Sequence, residues 1–468
     1  MKLDTSKHFF LPEDQHLFDY DYIFSASAMW VDLGMEDVEA TFDLFVRDLP
    51  KRRNFLLLNG LEEMISGILD WSFTDEEVDF LLSRKIITPK IVPLLRKFKF
   101  VGDVMAMPEG SIFFAQEPVL RITGKLWEIN LMTFFLMNAL SSNTIFSSKI
   151  VRSFLAARNK IYVATCSPVR GHAHEAALKF GRSAYILGSA SGMVPGFARK
   201  YNIPYESKAR AFHAFIKSFS TEIEALRACA SIFPNSSVMV DTYDTNQGIE
   251  NIITVCKEQK TKKLPVFSAV FIDSGKNLKA FINQAKMIRR KLDQNGLKEV
   301  QITVAGNFEE YKIDQLVKKK APIDKVIMGT ELVAPSDDPK VEVVLKMAQF
   351  VKNGEVHSTA KLATGKVSYP GLKQVFRKYK NGIMDGDTIG LEVERPGTPL
   401  LIDYIKSGKL VREMPTLDQI KEFTFAQLET LPEMLKRVDK EFNYDVKFSD
   451  GLDQLLAEAR RVHQSKHL

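Results

Sequence analysis

The stretch SVMVDTYDT, residues 237–245, decides how this chain is read. A short β-branched run containing Val238 and Val240 stops abruptly at Asp241, Thr242 and Asp244. The helical pattern GIENIITVCKEQK (248–260) then begins, so a strand feeds a helix through a polar corner. The same grammar recurs downstream. VFSAVFIDSG (266–275) ends in Asp273, Ser274 and Gly275 and precedes the helical NLKAFINQAKMIRRKLDQNG (277–296). VQITVAGN (300–307) ends in Gly306 and Asn307, and KVIMGTEL (325–332) carries Gly329 and Thr330. Upstream, KIYVATC (160–166) and SAYILG (183–188) read as two further runs of this kind. Strand–helix alternation at this spacing predicts parallel βαβ units, an α/β barrel or barrel-like sheet.

The flanks differ. The first ~150 residues read as α+β, with helical patterns around Ile23–Val46 and Gly60–Leu69. They are followed by FKFVGDVMAMPEGSIFFAQEPVLRITG (98–124), whose short alternating runs broken by Pro and Gly suggest antiparallel strands. The apolar LWEINLMTFFLMNALSSNTIF (126–146) contains Glu128 and Asn130, falls short of a bilayer span and reads as a buried helix. After Lys352 the pattern is mixed, and the amphipathic helices near the end are expected to pack back on the N-terminal part. The division expected is 1–150, 151–350 and 351–468.

With 468 residues, 45% hydrophobic and 26% charged, the chain has the composition of a globular protein with a full core. Cys166, Cys229 and Cys256 are too dispersed for a metal cluster or a disulfide framework, and suit a reducing compartment. The opening MKLDTSKHFFLPEDQH lacks the pattern of a signal peptide, and a cytoplasmic protein is expected. The net charge of +6 is small for this length, and the basic clusters are short. They give no nucleic-acid signature, though they suit an anionic substrate.

In parallel α/β proteins functional groups gather at the carboxyl ends of strands. Here those ends carry two acids on successive strands, Asp241 and Asp273, and then two glycine corners, Gly306 and Gly329. Glycine lets backbone N–H groups approach a phosphate, while carboxylates hold ribose hydroxyls or a Mg²⁺–pyrophosphate. The combination describes a sugar-phosphate pocket. No GxxxxGK[ST] or GxGxxG motif is present, so neither a Walker-type nor a Rossmann site is supported. In SKARAFHAFIKSF (207–219), His213 is the one residue that titrates near neutrality, and its plain reading is a core histidine bonded to a backbone carbonyl.

VDTYDT, IDSG, IMGTELV and then KLATGKVSYPGLKQVFR, in that order, resemble the nicotinate phosphoribosyltransferase family. So do DYDYIFSASAMW, FDLFVRDLP and PEGSIFFAQEPVLRITG near the start and LETLPEMLKRV near the end. The resemblance implies an irregular (β/α) barrel beside an α+β N-terminal domain completed by the C-terminal segment, working as a homodimer with shared active sites. It implies transfer of phosphoribose from phosphoribosyl pyrophosphate to nicotinate with Mg²⁺, giving nicotinate mononucleotide and pyrophosphate in NAD salvage. ATP hydrolysis would be coupled through a phosphohistidine. His213 then falls at the phosphorylated histidine. Arg47 and Arg170 match phosphate and phosphoribosyl ligands, and Asp241 and Asp273 the ribose, Mg²⁺ or pyrophosphate ligands. Ser274 and Gly275 belong to the same substrate-binding corner; Gly306, Gly329 and Thr330 would cradle the 5′-phosphate. Tyr22 would stack on the pyridine across the dimer, against the alternative of a core tyrosine.

The chain departs from the family around the base. Phe271 stands where an arginine is usual, Lys276 where an acid is usual, and LGSASGM (187–193) where a glycine-rich GGF-GTSN is usual. Ser167-Pro168 replaces an FG pair, and Lys208 and Arg210 flank the place of a small GT pair. A buried nicotinate carboxylate without a cationic or N–H partner costs several kcal/mol, roughly. Either Lys208, Arg210 or Lys276 compensates, or the base is nicotinamide or another pyridine, with Phe271 stacked on its ring. A non-catalytic nucleotide-binding homologue is the third reading.

Overall fold

Six short parallel strands carry the polar corners. In the computed structural model they are β1 (Tyr162–Thr165), β2 (Ala209–Ala211), β3 (Ser237–Met239), β4 (Ala269–Ile272), β5 (Gln301–Ala305) and β6 (Lys325–Met328). The structure describes residues 15–165, 169–189, 194–205 and 209–465. The strand order is β1-β6-β5-β4-β3-β2, and every neighbouring pair is parallel. From β2 to β6 each strand lies beside the next in sequence, and β1 joins the far side of β6. Among the described residues no pairing links β1 to β2, so the ladder is an open sheet.

Register assigns the two faces, because side chains alternate along a strand and paired residues share a face. Val163, Val326, Ile302, Val304, Val270, Ile272 and Val238 lie on one face and are fully buried. Phe271 lies on the other, level with Met239 and Thr303. Two positions of the sequence reading are corrected here. SAYILG is not a strand: Ser183–Ile186 ends the helix Ala173–Ile186, whose buried Ala177, Phe180, Gly181 and Ala184 follow helical spacing. The second strand is instead Ala209–Ala211, too short to show a period-2 pattern.

The chain divides into two units by its internal contacts. One holds this sheet, residues 149–337 with 437–440; the other comprises 1–148, 338–436 and 441–468. In the latter a seven-stranded antiparallel sheet runs Glu355–Ser358, Val343–Lys352, Glu39–Val46, Pro118–Lys125, Asp103–Ala106, Ile402–Lys406 and Lys409–Leu410. Strands from both ends of the sequence therefore share one sheet. The region read as helical over Ile23–Val46 splits into a helix, Asp21–Asp32, and the strand Glu39–Val46. That strand is paired on both sides, which overrides its mixed local pattern. Leu126–Asn130 and Thr133–Ala157 are helical, and no helix among the described residues is long and apolar enough to cross a membrane.

A buried ion cluster braces the sheet-bearing unit. Glu310, fully buried, lies 2.9 Å from the Lys149 ammonium and accepts a 3.0 Å bond from Arg152 Nε. Burial pushes its carboxyl up, but Lys149 and Arg152 outweigh burial and hold it below the usual glutamate range. Its contribution is thus present above the ordinary glutamate pKa and lost as pH falls through the depressed one. Urea midpoints measured downward from neutral pH are expected to fall through that acid window. Glu310→Gln is expected to start about 3–5 kcal/mol lower, having left two buried cations short of a partner, and to depend less on pH.

Candidate active site

Parallel pairing brings the ends of β2, β3 and β4 side by side, and the corners that follow them meet. Asp241, two residues past β3, turns its carboxylate across to the end of β4. Its Oδ2 accepts the backbone N–H of Asp273 at 2.9 Å, the N–H of Ser274 at 2.7 Å and the Ser274 hydroxyl at 2.5 Å. Its Oδ1 is buried with no hydrogen-bond partner among the described residues. Gly248 makes this approach possible: a Cβ there would lie 2.2 Å from the Val240 carbonyl oxygen, so only glycine lets the helix Thr245–Thr261 start so close beneath the corner. Asp244 caps that helix by accepting the Gln247 N–H at 2.8 Å.

His213 sits just past β2, at the first residue of the five-residue helix His213–Lys217. It is not the buried histidine of the plain reading: its side chain is 37% exposed. Nor is its partner a backbone carbonyl. Nδ1 lies 3.0 Å from Thr242 Oγ1, and Nε2 lies 3.8 Å from Asp273 Oδ2. One imidazole is therefore addressed from two neighbouring strand ends.

Gly306, past β5, has φ +106° and packs against the same corner, since a Cβ there would fall 3.2 Å from the Asp273 carbonyl oxygen. Gly275 follows Ser274 in the exposed turn. Gly329 and Thr330 begin the short helix Thr330–Val333 after β6. Arg170 is exposed in the turn after β1, where the space beside Gly171 is closed by Val333 of that helix. The structure thus joins His213, Asp241, Asp273, Ser274 and Gly306 in one cluster and sets the Arg170 turn by the Gly329–Thr330 corner. His172 and His174 lie at the start of the helix Ala173–Ile186, both exposed.

Phe271 is 6% exposed on the β4 face that also leads to Asp273. Of the cations considered as substitutes for an arginine there, Arg210 stacks over the Phe233 ring at 5.0 Å, and Lys276 is exposed past Gly275. Lys208 lies outside the described residues, as do Cys166, Ser167-Pro168 and residues 190–193 of the LGSASGM segment.

Two of the candidate residues belong to the other unit. Tyr22 is 56% exposed, not a core residue, and stacks on the equally open Tyr20 with ring centroids 5.4 Å apart. Arg47 is half-buried after the strand Glu39–Val46. It belongs to a cationic group that the sequence reading missed. Burial, together with the charges of Lys361, Arg47 and Lys366, holds the half-buried Lys346 ammonium below the usual lysine range. Lys361 and Lys366 stand in KLATGKVSYPG, whose spacing was the available signal; Lys346 shows itself only by register, directly opposite Asp43. Such a group is destabilised when bare and relieved by an anion.

Comparison with known proteins identifies the family. Residues 19–141 match the model of the nicotinate phosphoribosyltransferase N-terminal domain, and residues 396–456 that of its C-terminal domain. A Mycobacterium tuberculosis protein named nicotinate phosphoribosyltransferase pncB2 is 32% identical over 426 residues, covering 90% of this chain and 89% of that protein. The chain belongs to the nicotinate phosphoribosyltransferase family. The Bacillus subtilis nicotinate phosphoribosyltransferase is 26% identical over 470 residues, covering 94% of each chain. The crystal structure of human nicotinic acid phosphoribosyltransferase superposes with a TM-score of 0.79 at 19% identity, covering 94% of this chain and 99% of that one. The likeness extends to the overall α/β fold.

The close fit at Gly248 yields a direct test. Gly248→Ala must push the helix start off the Val240 carbonyl, at a cost of about 1–3 kcal/mol, readable as a lower urea midpoint. The displaced corner is also expected to loosen amide-exchange protection at Asp273 and Ser274.

Proposed function

We propose that this protein is a nicotinate phosphoribosyltransferase of NAD salvage. It would join phosphoribosyl pyrophosphate to nicotinate, release pyrophosphate, and couple ATP hydrolysis through His213. The observation that carries the reading is the meeting of His213, Asp241 and Asp273 at three adjacent parallel strand ends.

In this reading the new C–N bond forms between the ring nitrogen of the pyridine and the anomeric carbon of the ribose, as the C–O bond to pyrophosphate breaks. Asp273 and the buried, unpartnered Oδ1 of Asp241 are suited to ribose hydroxyls or to a divalent cation. Bound there, Mg²⁺ would offset the charge of the pyrophosphate. Arg170, Gly329 and Thr330 would hold the phosphoribosyl end, with Gly306 giving backbone access. Arg47, with Lys346, Lys361 and Lys366, would take phosphate oxygens. A neutral His213 imidazole would attack the γ-phosphorus of ATP, forming N–P as the β,γ P–O bond breaks and ADP departs; water later cleaves N–P.

Three further elements complete the proposal. The parallel sheet, whose strands run consecutively from β2 to β6, would form part of an irregular (β/α) barrel. The protein would act as a homodimer, with exposed Tyr22 reaching the partner's pyridine. A second reading of the base rests on Phe271: an apolar ring in the arginine's place, with Arg210 engaged elsewhere, favours an uncharged pyridine such as nicotinamide.

Chromatography of products from phosphoribosyl pyrophosphate and Mg²⁺, with either base and with or without ATP, separates these readings. Nicotinate mononucleotide formed faster with ATP is expected, with the stimulation absent in His213→Ala. Turnover of nicotinamide alone would instead make Phe271 the residue that selects the base, and no product from either would overturn the enzymatic reading. For the cationic group, calorimetric titration with inorganic pyrophosphate should show about tenfold weaker binding in Lys346→Met, and the difference should shrink with added salt.

A further inference from the structure

We propose that Thr242 is the positioning residue of His213, holding its imidazole in the orientation that receives the phosphoryl group. The inference rests on the proposed role of His213 and deepens it.

His213 has little else to fix it. It opens a helix of five residues, its flanking residues Phe212 and Ala214 are exposed, and its own side chain is 37% exposed. A ring in that setting rotates freely unless a hydrogen bond restrains it. At 3.8 Å the Asp273 contact is longer than a hydrogen bond, and acts as an electrostatic bias on Nε2. The 3.0 Å contact between Nδ1 and Thr242 Oγ1 is the one directional restraint on the ring among the described residues. The Thr242 hydroxyl can donate to Nδ1 or accept from it, so the bond sets the ring's orientation with either tautomer.

Thr242 is itself held firmly enough to do this. It follows Asp241, whose Oδ2 is tied to the Asp273–Ser274 turn by three donors, and it precedes the helix capped by Asp244. Two adjacent side chains of β3's corner thus reach opposite ways. Asp241 fixes the turn that carries Asp273, and Thr242 fixes the histidine, so the separation of the two groups is set by one dipeptide. A change at Thr242 acts through another residue, which defines a positioning role rather than a catalytic one.

The experiment compares Thr242→Val, which keeps the shape without the hydroxyl, with Thr242→Ser, which keeps the hydroxyl. Full-length protein is incubated with γ-³²P-labelled ATP and quenched in alkali, and His213 is observed by ¹⁵N NMR in the absence of nucleotide. We expect Thr242→Val to slow labelling at saturating ATP by about ten- to a hundredfold. The ATP concentration for half-maximal rate should be unchanged, and the Nδ1 resonance should move. Thr242→Ser should restore both. Labelling at the wild-type rate in Thr242→Val, with an unmoved Nδ1 resonance, overturns the proposal. If wild-type protein takes no label, or His213→Ala still does, the phosphohistidine reading fails separately. Thr242 is then judged by NMR alone: it stands as the ring's anchor if Nδ1 moves in the valine variant and returns in the serine variant, and falls otherwise.

Discussion

A single carboxylate oxygen organises the candidate site. Asp241 Oδ2 gathers two backbone N–H groups and a hydroxyl from the end of the next strand. Hydrogen bonds to a charged acceptor contribute more than neutral ones, each about 1.5–3 kcal/mol at best, and here they act on the turn that carries Asp273. Without them that turn would rest on the packing of Gly306 against the Asp273 carbonyl and of Gly275 against Phe281. With them, the position of Asp273 follows from β3, and β3 follows from a sheet whose other face is fully buried. Rigidity passes from core to corner to carboxylate in two steps.

What the sequence made legible follows from how local each signal is. The runs of Val, Ile and Phe that end in polar corners became β3, β4, β5 and β6, because buried parallel strands need continuous apolar residues. The two failures have the same cause. SAYILG is apolar enough for a strand, yet its apolar residues continue a helical stripe that began at Ala177. Glu39–Val46 reads ambiguously, with Asp43 in its middle, and is a strand because partners on both sides pair with it. Neither fact is visible within eight residues of sequence.

The site divides along the same line. Asp241 and Asp273 could be named because each ends an apolar run. Their mutual bonding could not, since it depends on strand order. The His213–Thr242 contact spans 29 positions, and the cationic group around Lys346 is assembled from three separate segments. The buried polar residues of the sheet-bearing unit show how charge can be spent differently in one chain. Lys149, Arg152 and Glu310 satisfy one another, whereas Lys346 shares its surroundings with three other cations. Charges that complete each other brace a core; like charges crowded at a half-buried position raise the cost of keeping it charged.

Phe271 carries this reasoning to the base. It lies in β4 two residues before Asp273 and is almost wholly buried, so whatever lies against it is largely removed from water. An aromatic ring gains there by stacking, whether or not it bears a charge. A carboxylate on that ring gains nothing from Phe271 and must find its donors elsewhere. Arg210 is stacked on Phe233 and the exposed Lys276 is screened by solvent, which leaves Lys208, outside the described residues, and backbone N–H groups as the donors to consider. On the proposed reading, selectivity for a charged base over an uncharged one would be weaker here than where a guanidinium makes a bidentate bond to the carboxylate. On that reading, a phenylalanine in the place of an arginine would widen the set of pyridines the site can hold, while Asp241 and Asp273 would serve the phosphoribosyl half.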